Sequence, residues 1–300
     1  MSAAIARAGR ILAEAGLRGA VLARELRTGH ELALEPDRPF PLASVVKLPL
    51  AAAVLDRAVH GEVDLSTPVT IGAAERSRGG PGLARFLHPA TIGMGDLVTL
   101  ALELSDNSAA DALFRLVPPA AVTTWLRTAG VRDLVVRHPI EELYASLALR
   151  TESADAHAVT ELVVAADANG YPSPLPQLDL DRANVGTARA LADLLERIWD
   201  GSTGAGVADP LRRALAGNVM RHRLTPDFAS DAVRWSSKTG TFIHLRHEAG
   251  VAEHEAGEVV VVVALTASRV PALTQPAAEQ AIGHAARTLH DEVLRTLPPG

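Results

Sequence analysis

Cysteine is absent from this chain of 300 residues. That excludes disulfides, thiolate nucleophiles and cysteine-ligated zinc. Aromatic residues make up only 3 %, so a core must be built from Ala, Leu and Val. Positive charge is not in surplus: 29 Lys and Arg face 35 Asp and Glu, for a net charge of −6. Without a basic stripe, neither nucleic acid nor an anionic membrane surface is expected as a partner. Val259–Leu265 is far too short an apolar run to span a bilayer. Near the N-terminus Arg7, Arg10, Glu14 and Arg18 interrupt any apolar core of a signal peptide. As given, the chain reads as cytoplasmic, or as secreted if a longer precursor was trimmed. Also missing are a Gly-x-Ser-x-Gly elbow, a His-Glu-x-x-His pair and a phosphate-binding loop, which removes the commonest rival hydrolase, zinc and nucleotide chemistries.

Lysine is the scarcest charged residue. Of the 29 basic residues only Lys47 and Lys238 are lysine, and all others are arginine. Arginine cannot give up its proton at a workable pH, and its fork is too broad to act as a compact ammonium. The two lysines are therefore candidates for sites where arginine will not serve, set against a composition that simply disfavours lysine.

What is present is 48 % hydrophobic residues, enough for a sizeable core. Ala3–Ala15 predicts an amphipathic helix with Ile5, Ile11 and Leu12 on its apolar side. Gly19–Leu26 and Glu31–Leu34 predict a hairpin turned at Thr28-Gly29. Ser44–His60 predicts a helix ending at Gly61 and strained at Pro49. Gly79–Pro89 is a loop. Helices follow at Gly95–Leu104, Ala109–Val117 and Pro119–Ala129, and Leu134–Tyr144 is ambiguous. Thr151 or Ser153 caps a helix reaching Ala168, and Tyr171–Asn184 is a proline-bearing loop. Further helices are expected at Thr187–Trp199 and Pro210–Leu215. Ala232–Lys238 reads as a strand, Gly250–His254 and Glu258–Ala267 as a hairpin, and Ala277–Leu297 as a terminal helix. Strands thus cluster at both ends and helices fill the middle. The expected fold class is α/β (α+β): an antiparallel sheet built from both termini and flanked by helices, with an all-α lobe inserted. Residues 1–43 and 205–300 form the sheet lobe, 44–204 the helical lobe, and the cleft between them is the natural site.

Three short motifs fall at its edges. In Ser44-x-x-Lys47, residues three apart at a helix start share a face. The Ser44 N–H is then one of the unpaired donors of the first turn, where an oxyanion needs one. Ser105-Asp106-Asn107 breaks a helical pattern. Lys238-Thr239-Gly240 ends a predicted strand.

In this order the motifs resemble those of the class A β-lactamase and penicillin-binding-protein family of serine acyl-enzymes. The resemblance spans about Gly19 to Leu297 and implies a β-lactamase/transpeptidase-like fold. By that resemblance Ser44 is the nucleophile and Lys47 its proton acceptor, directly or through a water. Ser105 relays a proton to the leaving nitrogen. Asn107 bonds Lys47 and the substrate amide, and Asp106 is structural. Lys238, Thr239 and Gly240 hold the substrate carboxylate, with Lys238 also on Ser105. Thr241 supplies the second oxyanion N–H, and Arg246 adds charge at the carboxylate end. His222 lines the cleft without a catalytic part.

The pattern departs from class A in one place. Those enzymes clear the acyl-enzyme with a glutamate in Glu-x-x-Leu-Asn, which is missing here. Glu141 and Glu142 lie at about the right distance without the asparagine, and Glu141 is the candidate for deacylation. The next landmark, Asn184-Val185-Gly186-Thr187, comes late, so an insertion reshapes the pocket wall. The leading expectation is hydrolysis of a β-lactam amide, in antibiotic resistance or β-lactam catabolism. The alternatives are an intracellular esterase, amidase or acyl-transferase with the same serine–lysine chemistry, or a β-lactam sensor that stays acylated. The expected partner is a small carboxylate-bearing substrate of a monomer, with no metal or organic cofactor.

Overall fold

The computed structural model describes residues 2–152, 155–271 and 274–298. Helix α1 (Ala3–Glu14), capped by the Ser2 hydroxyl, precedes the antiparallel pair β1 (Leu17–Glu25) and β2 (Glu31–Leu34). The Glu25 carboxylate organises their turn by accepting from the Arg27 and Thr28 N–H groups and the Thr28 hydroxyl. A short strand, β3 (Phe40–Pro41), leads to a 3₁₀ turn at Ala43–Val46, and α2 (Lys47–Val59) follows directly. All residues of α2 from Lys47 to Leu55 are buried, as a helix apolar on every side requires. Pro49 falls in its first turn, where N–H groups lack partners within the helix, so the expected strain is avoided.

Around α2 gather α3 (Met94–Glu103), α4 (Asn107–Leu116) and α5 (Pro119–Thr128), and the preceding hairpin β4 (Pro68–Ile71) and β5 (Ala90–Gly93) packs on α3 and α4. The ambiguous stretch splits into β6 (Leu134–Val135) and the start of α6 (Ile140–Thr151). Thr151 ends α6 instead of opening the next helix. Helix α7 (Ala156–Asn169) is capped by Asp155, which accepts from the Ala158 N–H. Ser153, the other expected cap, lies outside the described residues. Strand β7 (Val185–Gly186) sits between β3 and β6, tying the insertion's end to the nucleophile turn. Next come α8 (Ala188–Trp199), capped by Thr187, and α9 (Ala205–Ala216), longer than its proline-marked core.

The C-terminal part adds α10 (Thr225–Phe228), β8 (Val233–Phe242), β9 (Leu245–His254), β10 (Val259–Ser268) and α11 (Pro276–Arg295). The five-stranded antiparallel sheet has the order β2-β1-β10-β9-β8, so both termini build it. The valines of β10 read as one apolar run because both faces are covered. Val260 and Val262 pack toward α1 and α11, while Val261 and Val263 join the core around α2. Each fully buried valine contributes roughly 1.5–3 kcal/mol. Helix α8 lies across β1, β9 and β10, and α9 bridges α2, α3 and β8. The insertion docks through Asp167 of α7, which takes a forked bond from Arg18 of β1 beside buried His244. Among the described residues no helix is long and apolar enough to cross a membrane.

Strand β8 runs past its expected end at Lys238 and carries Thr239, Gly240 and Thr241 in register opposite Glu248, His247 and Arg246. It is the sheet's edge, and its free side lies on the 3₁₀ turn. Gly240 allows this approach: a Cβ there would stand 2.8 Å from Val45 Cγ2 and 2.9 Å from the Leu42 carbonyl oxygen.

Candidate active site

Ser44 is the second residue of the 3₁₀ turn and is half-buried. Side chains three apart eclipse in such a turn, which puts Ser44 and Lys47 on the same side of it. The preceding Ala43 has φ 46°, a conformation that costs a non-glycine residue on the order of 1–3 kcal/mol. Ser105, at φ 57°, is a second such residue. Strain is thus stored on both sides of the serine–lysine pair.

The Lys47 amine is fully buried and donates to the Ser105 carbonyl at 2.5 Å and to Asn107 Oδ1 at 2.7 Å, with Ser105 Oγ at 3.3 Å. Lys238, equally buried, reaches the same Ser105 Oγ at 3.0 Å and donates to its neighbour's carbonyl, Thr239 O, at 3.0 Å. Two amines therefore converge on one hydroxyl. Burial pushes Lys47 down to about 7, against the pull of the Asp111 and Asp106 carboxylates. Its place at the positive end of α2 acts in the same direction as burial. Burial also drives Lys238 well below the ordinary lysine range, and the neighbouring Lys47 charge drives it further. These are the two positions at which the chain kept lysine.

Asp106 is the N-cap of α4, accepting from the Ala109 N–H at 3.0 Å, and it holds the Leu83 N–H at 2.7 Å. It thereby fastens the Gly-rich loop to the helix that presents Asn107. The Asn107 Nδ2 donates to the Arg78 and Gly79 carbonyls, so this side chain links the loop to Lys47.

Asp111 belongs to none of the three motifs, and sequence reasoning misses it. It lies one turn after Asn107 on the same face of α4, a spacing that marks it in retrospect. Its buried carboxylate accepts from the Ser77 hydroxyl and from the Ile140 N–H at 2.7 Å, and burial pushes it up to about 6. It fixes the start of α6. Glu141 and Glu142 belong to that first turn and are exposed. A small cavity of about 10 Å³ lies beside the nucleophile turn, lined by Pro41, Leu42, Ala43, Ile140, Leu143 and Leu178 together with the polar His138, Gln177 and Asn184. Among the described residues no carboxylate lines it.

At the other end of the site the exposed Thr241 has its Oγ1 2.6 Å from the Arg223 guanidinium. Arg223 is buried, donates to the Gly240 and His247 carbonyls and pairs with Glu279 of α11. Arg246 is sealed off: its guanidinium donates to the Ile243 and Leu245 carbonyls and sits 3.1 Å from Glu279. The guanidinium touching Thr241 is therefore that of Arg223, next to the exposed His222, and the cluster Arg221-His222-Arg223 is the one sign of it in the sequence. His247 is a strut. Its Nδ1 accepts from the Thr266 N–H, which makes Nε2 the donor to the Pro41 carbonyl at 2.8 Å. Burial pushes it down to about 3, so it stays neutral.

The fold thus joins Lys47, Ser105, Asn107 and Lys238 by direct bonds, adds Ser44 through the turn, and lays Thr239, Gly240 and Thr241 alongside through β8. Glu141 and Arg246 stay outside that network.

A family model described as the β-lactamase enzyme family matches residues 3–293. Over 295 residues the chain is 48 % identical to the β-lactamase regulatory protein BlaB of Streptomyces cacaoi, covering 94 % of this chain and 95 % of that one. The crystal structure of a β-lactamase from Sphaerobacter thermophilus DSM 20745 superposes with a TM-score of 0.78 at 23 % identity, over 99 % of this chain and 98 % of that one. A point mutant of PBP-A, in an acyl-enzyme complex with penicillin G, does so with a TM-score of 0.75 at 18 % identity, over 97 % and 96 %. At these identities the structural likeness speaks for the fold alone.

Proposed function

The chain belongs to the β-lactamase enzyme family, and we propose that it is acylated on Ser44 by a β-lactam and holds the acyl group, registering the compound in preference to destroying it. In the step itself, Ser44 Oγ bonds the lactam carbonyl carbon and the ring C–N bond breaks. The Ser44 proton passes to neutral Lys47 and on through Ser105 to the departing nitrogen. The N–H groups of Ser44 and Thr241 take the oxyanion. Lys238, Thr239 and the Arg223-backed Thr241 hydroxyl take the substrate carboxylate.

The observation that carries the choice is the wall beside the nucleophile turn. Hydrolysis needs a base on a water next to the ester. The cavity found beside that turn is at the lower limit for one water, and among the described residues neither Ser44 nor a carboxylate lines it. Glu141, the expected base, is solvent-exposed and does not line that cavity. Acylation is equipped with two buried amines, whereas the polar groups on this cavity are the amides of Gln177 and Asn184 and a His138 ring whose two nitrogens are already bonded, to the Asn184 N–H and the Pro139 carbonyl. This reading replaces hydrolysis as the leading one and accords with the regulatory name of the Streptomyces cacaoi relative.

Intact-protein mass spectrometry over hours, after mixing with a penicillin, tests it. The expected result is an adduct that persists on the wild type and never forms on Ser44→Ala. Steady product release without an accumulating adduct would overturn sensing in favour of hydrolysis, and loss of that turnover in Glu141→Gln would then assign the base. Neither adduct nor product would dismiss β-lactams as ligands.

A further inference from the structure

Tyr144 is one of only two tyrosines in the chain, and it belongs to none of the three motifs. It stands on α6 one turn after Ile140, whose N–H is pinned by buried Asp111. Its ring meets Phe242 edge to face, with centroids 5.5 Å apart. Phe242 follows Thr241 at the end of β8. On its other side the ring covers Gly79, where a Cβ would collide with Tyr144 Cε1. The Gly79 carbonyl holds Asn107 Nδ2 at 3.2 Å. The ring therefore bridges the two banks of the groove, the Asn107 bank and the Thr241 bank, and occupies the room that a side chain at position 79 would need.

We infer that Tyr144, with Phe242, is a plug that sets which β-lactams can acylate Ser44, restricting the site to those with a small substituent on the carbon next to the reacting carbonyl. The inference rests on the acylation reading above. On the acylation reading, with the carbonyl oxygen between the Ser44 and Thr241 N–H groups, the substituent beside it would run along the strand end that leads from Thr241 to Phe242, toward the aromatic pair. By this inference a bare amine is accepted with the rings in place, and a bulky aryl-acyl group requires the Tyr144 ring to swing off Gly79 and give up its packing on Phe242. Selectivity from such an obstruction is a matter of steric exclusion and acts on entry and acylation together.

The test compares acylation rates of 6-aminopenicillanic acid and a dye-labelled penicillin with a large acyl side chain, read as mass adducts on Ser44. Wild type, Tyr144→Ala, Tyr144→Leu and Tyr144→Phe are measured. The expected result is that wild type and Tyr144→Phe favour the small probe at least about tenfold. In Tyr144→Ala the ratio of large-probe to small-probe rate rises by about tenfold, with Tyr144→Leu between. Equal rates for the two probes on wild type, or a ratio that Tyr144→Ala and Tyr144→Leu leave unmoved, would overturn the plug while leaving acylation standing. No adduct from either probe on any variant would sink the acylation reading and this inference with it.

Discussion

If Lys47 is the proton acceptor for Ser44, acylation must follow the protonation of one buried amine. A lysine at its ordinary value of 10.5 is neutral in about one molecule in three thousand at pH 7, and one held at about 7 is neutral in about half. The rate of adduct formation on Ser44, followed by rapid quench and mass spectrometry, should climb about tenfold per pH unit below 7 and level off above it. Asp111, pushed up to about 6, titrates close by, so Asp111→Asn separates the two. The anion at Asp111 raises Lys47; its removal should move the midpoint below 7 and leave the limb intact. The same shift governs stability. The folded value lies below the unfolded one, so between about 7 and 10.5 the unfolded chain holds the extra proton. Stability should therefore rise with pH across that window and lose the Lys47 contribution below it. A rate that is flat from about pH 5.5 to 9, or one that becomes flat in Asp111→Asn, would refute Lys47 as the base.

Gly240→Ala should cost about 1–3 kcal/mol in urea unfolding and slow acylation, because the new methyl meets Val45 and the Leu42 carbonyl; an unchanged unfolding midpoint would contradict the close packing of β8 on the nucleophile turn. Asp106→Ala removes the cap of α4 and the hold on Leu83, with an expected loss of roughly 1–2 kcal/mol for the cap alone; Asp106→Asn keeps one acceptor but turns an N–H₂ toward the other N–H, so thermal melts should show only part of the loss recovered. His247→Phe keeps a ring but leaves the Pro41 carbonyl and the Thr266 N–H unpaired. A cost of about 1–3 kcal/mol per buried group is expected at pH 7, and a variant as stable as wild type would show that His247 is not a strut.

The architecture and most of the candidate site were legible in local pattern. Strands at the two ends and helices between follow from periodicity, and the sheet order β2-β1-β10-β9-β8 bears this out. Ser44, Lys47, Ser105, Asn107 and Lys238 stood out because each sits in a contiguous motif at a helix start, a helix break or a strand. Lysine scarcity marked the two amines independently. The remainder came only with folding, because it turns on burial and on approach across long separations. Nothing local distinguishes Arg246 from Arg223, yet one is enclosed by the Ile243 and Leu245 carbonyls and the other meets the Thr241 hydroxyl. Nothing local shows that Glu141 is exposed while Asp111, far earlier in the chain, is buried against the start of its helix. The depression of Lys47 likewise arises from its enclosure at the head of α2. A side chain's type is written in the sequence; its solvation and its neighbours exist only once the chain has folded.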